Sequence, residues 1–143
     1  ELSYFFDKEN IKNSLSFSSS LDYSTKNGFY FLGSYLYNSN GMNESNFLSL
    51  ININANVLSP KNLMPSKHSY LLQVNKPISP PLNMSLNILY GKGIKLLYVS
   101  PSLSYDISSN LDAGVIVQYF YLDNFGDFKN LLKGYYLQLK YSF

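Results

Sequence analysis

The sequence predicts an all-β chain, and more narrowly a transmembrane antiparallel up-and-down β-barrel. Three observations carry this. Apolar and polar residues alternate with a period of two through about nine segments, each of roughly the length that crosses a bilayer as a tilted strand. Charge is scarce: charged residues make up 14% of the 143 residues and hydrophobic residues 45%, where soluble domains carry about 25% charged. Aromatics reach 17%, all of them Tyr and Phe, and many sit near the ends of the apolar rows. A chain so short of charge suits lipid on one side and a neutral polar surface on the other.

The elements follow in order. Residues 1–6 read as the end of a strand and Asp7 to Asn10 as a polar turn. In 13–24, Leu15, Phe17, Leu21 and Tyr23 share one face with Ser19, and Ser14, Ser16, Ser18, Ser20 and Asp22 the other; no helical period fits this. Lys26-Asn27-Gly28 is a hairpin turn, since Asn-Gly accepts positive φ. Residues 29–38 form a strand that is greasy on both faces, and 38–46 a loop. Residues 47–57 set Ile51, Ile53, Ala55 and Val57 against Asn52, Asn54 and Asn56. Three amides on one face need partners, which water in a lumen provides.

A loop with Pro65 runs from Ser59 to His68, then a strand over 69–76. Pro77, Pro80 and Pro81 interrupt the ladder as a short turn. Residues 82–90 put Leu82, Met84, Leu86, Ile88 and Tyr90 outward and Asn83, Ser85 and Asn87 inward. Gly91-Lys92-Gly93 turns the chain. In 94–105, Leu97, Val99, Leu103 and Tyr105 oppose Tyr98, Ser100, Ser102 and Ser104, with a bulge expected at Pro101. Asp106 to Asn110 is a turn. In 111–122, Leu111, Ala113, Val115, Val117, Tyr119 and Tyr121 oppose Asp112, Gly114 and Gln118. A loop over 123–131 precedes the closing strand. There Tyr135, Leu137, Leu139, Tyr141 and Phe143 oppose Gly134, Tyr136, Gln138, Lys140 and Ser142.

Several function classes drop out. Net charge is +2 with no Lys/Arg run, so the electrostatic footprint of a nucleic-acid binder is missing. Cysteine is absent, which excludes disulfides, thiolate nucleophiles and zinc-thiolate sites. No stretch approaches ~18 uninterrupted apolar residues, so no transmembrane helix is expected. An opening at Glu1 without Met or leader is expected of a mature form or a fragment.

The last eleven residues, Lys133 to Phe143, resemble the closing strand of bacterial outer-membrane β-barrels. The resemblance implies that Tyr135, Leu137, Leu139, Tyr141 and Phe143 form the signal read by the barrel-assembly machinery. The stretch from Ser59-Pro-Lys-Asn-Leu-Met-Pro65 to Leu111, with Asp127-Phe-Lys-Asn-Leu-Leu132 and the ending Leu139-Lys-Tyr-Ser-Phe143, is similar to the C-terminal half of porin-like outer-membrane proteins of Bacteroidota-type bacteria. This implies residence in the outer membrane and lipid as a partner. With Phe143 on the periplasmic side, 123–131, 91–93 and 59–68 would be extracellular, and 106–110, 77–81 and 38–46 periplasmic. The chain is expected to supply about eight to ten strands, as the C-terminal part of a larger barrel. A narrow eight-stranded interior must be filled by side chains, and the expected lining is small and neutral.

That lining is Ser14, Ser16, Ser18, Ser20, Asn52, Asn54, Asn56, Asn83, Ser85, Asn87, Ser100, Ser102, Gln118, Gln138 and Lys140. It suits passive diffusion of small polar solutes with weak charge selectivity. The competing expectation is a non-conducting barrel that anchors or scaffolds other envelope proteins, favoured by the lack of long substrate-gathering loops. No enzyme, cofactor or metal site is expected. His68, the single histidine, reads as a solvated loop residue without a neighbouring acid. Asp7 with Glu9, and Asp123 with Asp127, lack calcium-loop spacing and read as loop charges. Gly91-Lys92-Gly93 is a hairpin, not a phosphate loop.

Overall fold

The computed structural model describes residues 2–5, 14–43, 64–124 and 127–142, with the side chains of 2–5, 14, 123, 124 and 127 left aside. Eight strands form one antiparallel up-and-down sheet in sequence order. They are β1 (Leu2–Phe5), β2 (Ser14–Ser24), β3 (Tyr30–Asn38), β4 (His68–Ser79), β5 (Leu82–Gly91), β6 (Leu96–Ser108), β7 (Leu111–Asn124) and β8 (Asp127–Tyr141). The expected closure into a barrel is not observed. Among the described residues β1 and β8 are edges, and β1 offers four paired positions where β8 runs for fifteen residues.

Strand order corrects the sequence reading in one major respect. Residues 29–38 and 69–76 were expected to flank a strand at 47–57. Instead β3 pairs directly with β4, Tyr37 opposite His68 and Phe31 opposite Val74. Residues 44–63, including Asn52, Asn54 and Asn56, lie outside the described residues. Residues 39–43 therefore leave from the same end of the sheet at which 64–67 return, not the opposite one. The connections then sort by end. At one, which we call the hairpin end, β2–β3, β4–β5 and β6–β7 are joined by residues 25–29, 80–81 and 109–110. At the other, the loop end, the connections include 39–67 and 92–95.

Local chemistry explains the turns. Gly28 takes φ 80°, and its N–H donates to Thr25 O at 3.1 Å while Thr25 N–H donates to Phe29 O at 2.8 Å. Pro77 does not end β4: the strand continues to Ser79 through a register shift at Ile78, a bulge position that tolerates a missing donor. Pro101 causes no bulge, because the β6–β7 register is the same on either side of it; the shift lies at Ile107. The loop expected over 123–131 is largely strand, with β7 reaching Asn124, β8 starting at Asp127 and an irregularity at Leu131.

The compact part of the molecule is at the loop end. Asn38 Nδ2 donates to Met64 O at 3.0 Å, Met42 N–H to Pro65 O at 2.8 Å and Lys67 N–H to Met42 O at 3.1 Å. These bonds tie the two ends of the long connection into a neck. The neck lies on the β5–β6 turn: Ile94, 1% exposed, donates its N–H to Ser66 Oγ at 3.4 Å, and Ser66 is fully buried. Three glycines make the approach possible. A Cβ on Gly93 would collide with the Met42 carbonyl, one on Gly41 with the Ser66–Lys67 backbone, and one on Gly91 with Ser66 Oγ.

Gly93→Ala is therefore expected to cost about 1–3 kcal/mol by overpacking against backbone. Gly33→Ala, where an added Cβ meets nothing within 4 Å, should change stability by about 0.5 kcal/mol or less. Thermal unfolding followed by circular dichroism checks the pair.

Candidate functional site

Residues opposite each other in an antiparallel pair share a face, so the registers assign every strand position to one of two sides. One face carries Phe17 and Tyr23 of β2, Phe31 and Tyr35 of β3, Tyr70 and Leu72 of β4, and Leu86 and Ile88 of β5. It continues through Val99 and Leu103 of β6, Val115 and Val117 of β7, and Leu137 and Leu139 of β8. This apolar face is uncovered. Fifteen of the twenty large apolar or aromatic side chains left exposed occupy its positions, Leu137 at 87% and Leu21 at 82%. Only Ile94 and Leu122 are buried hydrophobics among the described residues. Covering those fifteen is worth roughly 15 kcal/mol, as much as the net stability of a typical domain.

Tyrosines and phenylalanines gather at both rims of this face. Toward the loop end Tyr35 has Phe17 at 6.4 Å, Tyr70 at 5.4 Å and His68 at 6.1 Å between ring centroids. A 2.8 Å hydrogen bond joins Tyr35 OH to His68 Nδ1, and Tyr37 packs on the same imidazole at 5.4 Å. His68 is thus the first residue of β4 within an aromatic cluster, not the solvated loop residue expected. Toward the hairpin end Lys76 Nζ sits 4.2 Å from the centre of the Phe29 ring, and Phe29 stacks on Phe31 at 5.8 Å.

The second face collects the sequence-predicted lining that falls within the described residues. Ser16, Ser18 and Ser20 of β2, Asn83, Ser85 and Asn87 of β5, Ser100 and Ser102 of β6, Gln118 of β7 and Gln138 and Lys140 of β8 all share it, as does the register position of Ser14. Sequence reasoning missed Gln73 and Asn75 of β4, which stand opposite Asn87 and Ser85. Across β4–β7 these build rows of amides and hydroxyls: Gln73, Asn87, Ser100, Gln118, and beside them Asn75, Ser85, Ser102. The Asn75 Oδ1 is buried without a protein partner. Alternation sets both β4 residues on the face opposite Tyr70, Leu72 and Val74, and only their place in the lining was missed.

This lining is less uniformly small than expected. Toward the loop end the same face carries Leu71, Leu89, Tyr98, Phe120 and Leu122, with Tyr98 and Phe120 ring centroids 4.8 Å apart. On β8 the Tyr136 ring lies over Gly134, where an added Cβ would fall 2.8 Å from Cε2.

Of the residues expected to act as an assembly signal, Tyr135, Leu137, Leu139 and Tyr141 lie on the apolar face of edge strand β8, and Phe143 lies outside the described residues. Among the described residues no three His, Asp or Glu side chains gather as a metal site, and no helix is long and apolar enough to cross a membrane, which says nothing about strands. No protein-family model, curated protein or solved structure matches the chain.

Removing the hydroxyl in Tyr35→Phe leaves His68 Nδ1 without its protein partner. We expect a loss of about 0.5–1.5 kcal/mol, read by chemical or thermal unfolding, with Tyr37→Phe as the control that keeps the ring contact.

Proposed function

We propose that the chain is a porin-like outer-membrane β-barrel, or the C-terminal part of one, through which small polar solutes diffuse. The observation that supports this most is the sorting of the seven strands β2–β8 into one uncovered apolar face and one face rich in Ser, Asn and Gln. Water solvates an outer surface best when that surface is charged, and besides tyrosine the ionisable strand positions on the apolar face among the described residues are Lys76, Lys133, His68 and the register position of Asp123. Lipid covers such a face without that need. The heights agree as well. On β7 the run from Leu111 to Tyr121 is about 33 Å long at ~3.3 Å per residue. A strand tilted by ~40° rises about 25 Å over that length, the height of an outer-membrane apolar band.

The end asymmetry supports an orientation. Outer-membrane barrels keep short turns on the periplasmic side and longer loops outside. All three connections at the hairpin end are five residues or fewer, the longest connection of the sheet, 39–67, belongs to the other end, and β8 finishes at the hairpin end. On this reading residues 39–67 are extracellular, and the amide rows face water inside.

A second reading draws on the neck. Its Ser66 lies against Gly91 on the polar face at the loop end, which favours a non-conducting barrel that anchors envelope partners.

Planar-bilayer conductance of the purified protein separates the two: stepwise openings support the channel, and a seal that never breaks supports the anchor. Nitroxide labels at Val115 and Leu137 should report collision with dissolved oxygen rather than with an aqueous relaxant, and labels at Ser102 and Gln118 the reverse. Aqueous exposure of all four sites sinks both readings together.

A further inference from the structure

At the hairpin end of β6–β8 the polar face breaks a local rule. Asp106 and Asp112 stand directly opposite each other on β6 and β7, and Lys140 stands opposite Asp112 on β8. Like charges facing each other across a strand pair are destabilising. Lys140 is placed to neutralise Asp112, yet among the described residues no ion pair joins them. Instead both line a recess of about 150 Å³, together with Ser104, Gln138 and Gly114. That is the volume of about five water molecules at liquid density. Gly114 keeps its floor open, since the nearest atoms to an added Cβ lie 3.5–3.9 Å away. Positions that break local rules without structural compensation concentrate where function sets the residue.

We propose that this recess binds a small zwitterion, a molecule with an ammonium and a carboxylate a few bonds apart, as in a free amino acid. Lys140 takes the carboxylate. Asp112, with Asp106 beside it, takes the ammonium. Ser104 and Gln138 supply neutral hydrogen bonds around the rim. The unpaired acid and base give the recess both signs at once, so a ligand of one sign satisfies one half and leaves the other solvated. This assignment rests on the polar face being a wet lumen, where it names the solute class that meets charge at the hairpin-end mouth.

Binding is tested without flux. Purified full chain in detergent is titrated calorimetrically with L-serine, and with N-acetyl-L-serine and L-serine methyl ester as single-charge probes. L-serine should bind about three- to fivefold more tightly than either, the range that an exposed ion pair supplies. Asp112→Asn should erase the preference over N-acetyl-L-serine, and Lys140→Gln the preference over the methyl ester. Gly114→Val should weaken L-serine binding by filling the floor. Equal binding of all three probes, unchanged preferences in both conservative variants, or no L-serine binding up to its solubility each overturns the proposal. Any of these results leaves bilayer conductance standing. A silent bilayer with intact L-serine binding defeats the channel reading and spares the recess.

Discussion

In an antiparallel ladder a slip of one residue moves every side chain of a strand to the other face. Six consecutive pairings here keep one face apolar from β2 to β8, and that shared register is the constraint on which everything else depends. The three irregularities fall at Ile78, Ile107 and Leu131, all near strand ends, so no flip occurs within the middle of the sheet. Cross-strand contacts stand in for a core. With two buried hydrophobics among the described residues, side-chain neighbours such as Val115 with Leu137 and Leu72 with Ile88 contribute most of the apolar packing. Each such pair adds about 0.2–1 kcal/mol.

Period-two alternation made most of this legible in the sequence. It assigned Leu15, Phe17, Leu21 and Tyr23 correctly to one side because Ser or Asp at every intervening position leaves no other period. The Lys26-Asn27-Gly28 turn followed from the φ that Asn-Gly tolerates. What alternation does not encode is which strand lies beside which. The segment 47–57 alternates as cleanly as any, and nothing in its residues says that β3 bonds directly to β4. The neck was invisible for a related reason: it depends on Gly41, Gly91 and Gly93 meeting across distant parts of the chain, and a glycine in sequence looks the same at a turn as at a contact.

Some misreadings had the opposite origin, a local rule applied too far. Proline marks strand ends because it lacks a donor. Pro77 precedes the Ile78 shift, and Pro101 interrupts no register, so each is absorbed inside its strand. The polar face misled through averaging. Ser and Asn are frequent enough to suggest a small, even lining, but Leu71, Leu89, Tyr98, Phe120 and Leu122 hold the loop-end part of it. One face therefore has two regimes along the strand axis. Large side chains and the neck occupy one end, and amides, hydroxyls and a few unpaired charges the other. A barrel built on this sheet would be narrowest toward the loop end and most hydrated toward the hairpin end.

The edges carry the last step. In hydrocarbon an unpaired backbone group costs several kcal/mol, so a spanning sheet must close. β8 presents fifteen residues on an open side, and β1 pairs four of its own with β2. Up-and-down alternation fixes what can lie against β8. It must run from the hairpin end toward the loop end, the direction of β1, β3, β5 and β7. Either β1 itself closes the ring, or strands inserted between β8 and β1 come in even number, whether from this polypeptide or from a second one inserted in the same sense. On the proposed outer-membrane reading, a second copy turned over to pair β8 with β8 is excluded, because it would place its hairpin end on the wrong side of the bilayer. The interior favours insertion over direct closure. An eight-stranded ring is just wide enough for side chains to fill, and this one would have to hold Tyr98, Phe120 and Tyr136 on its wall with the neck lying against the same face.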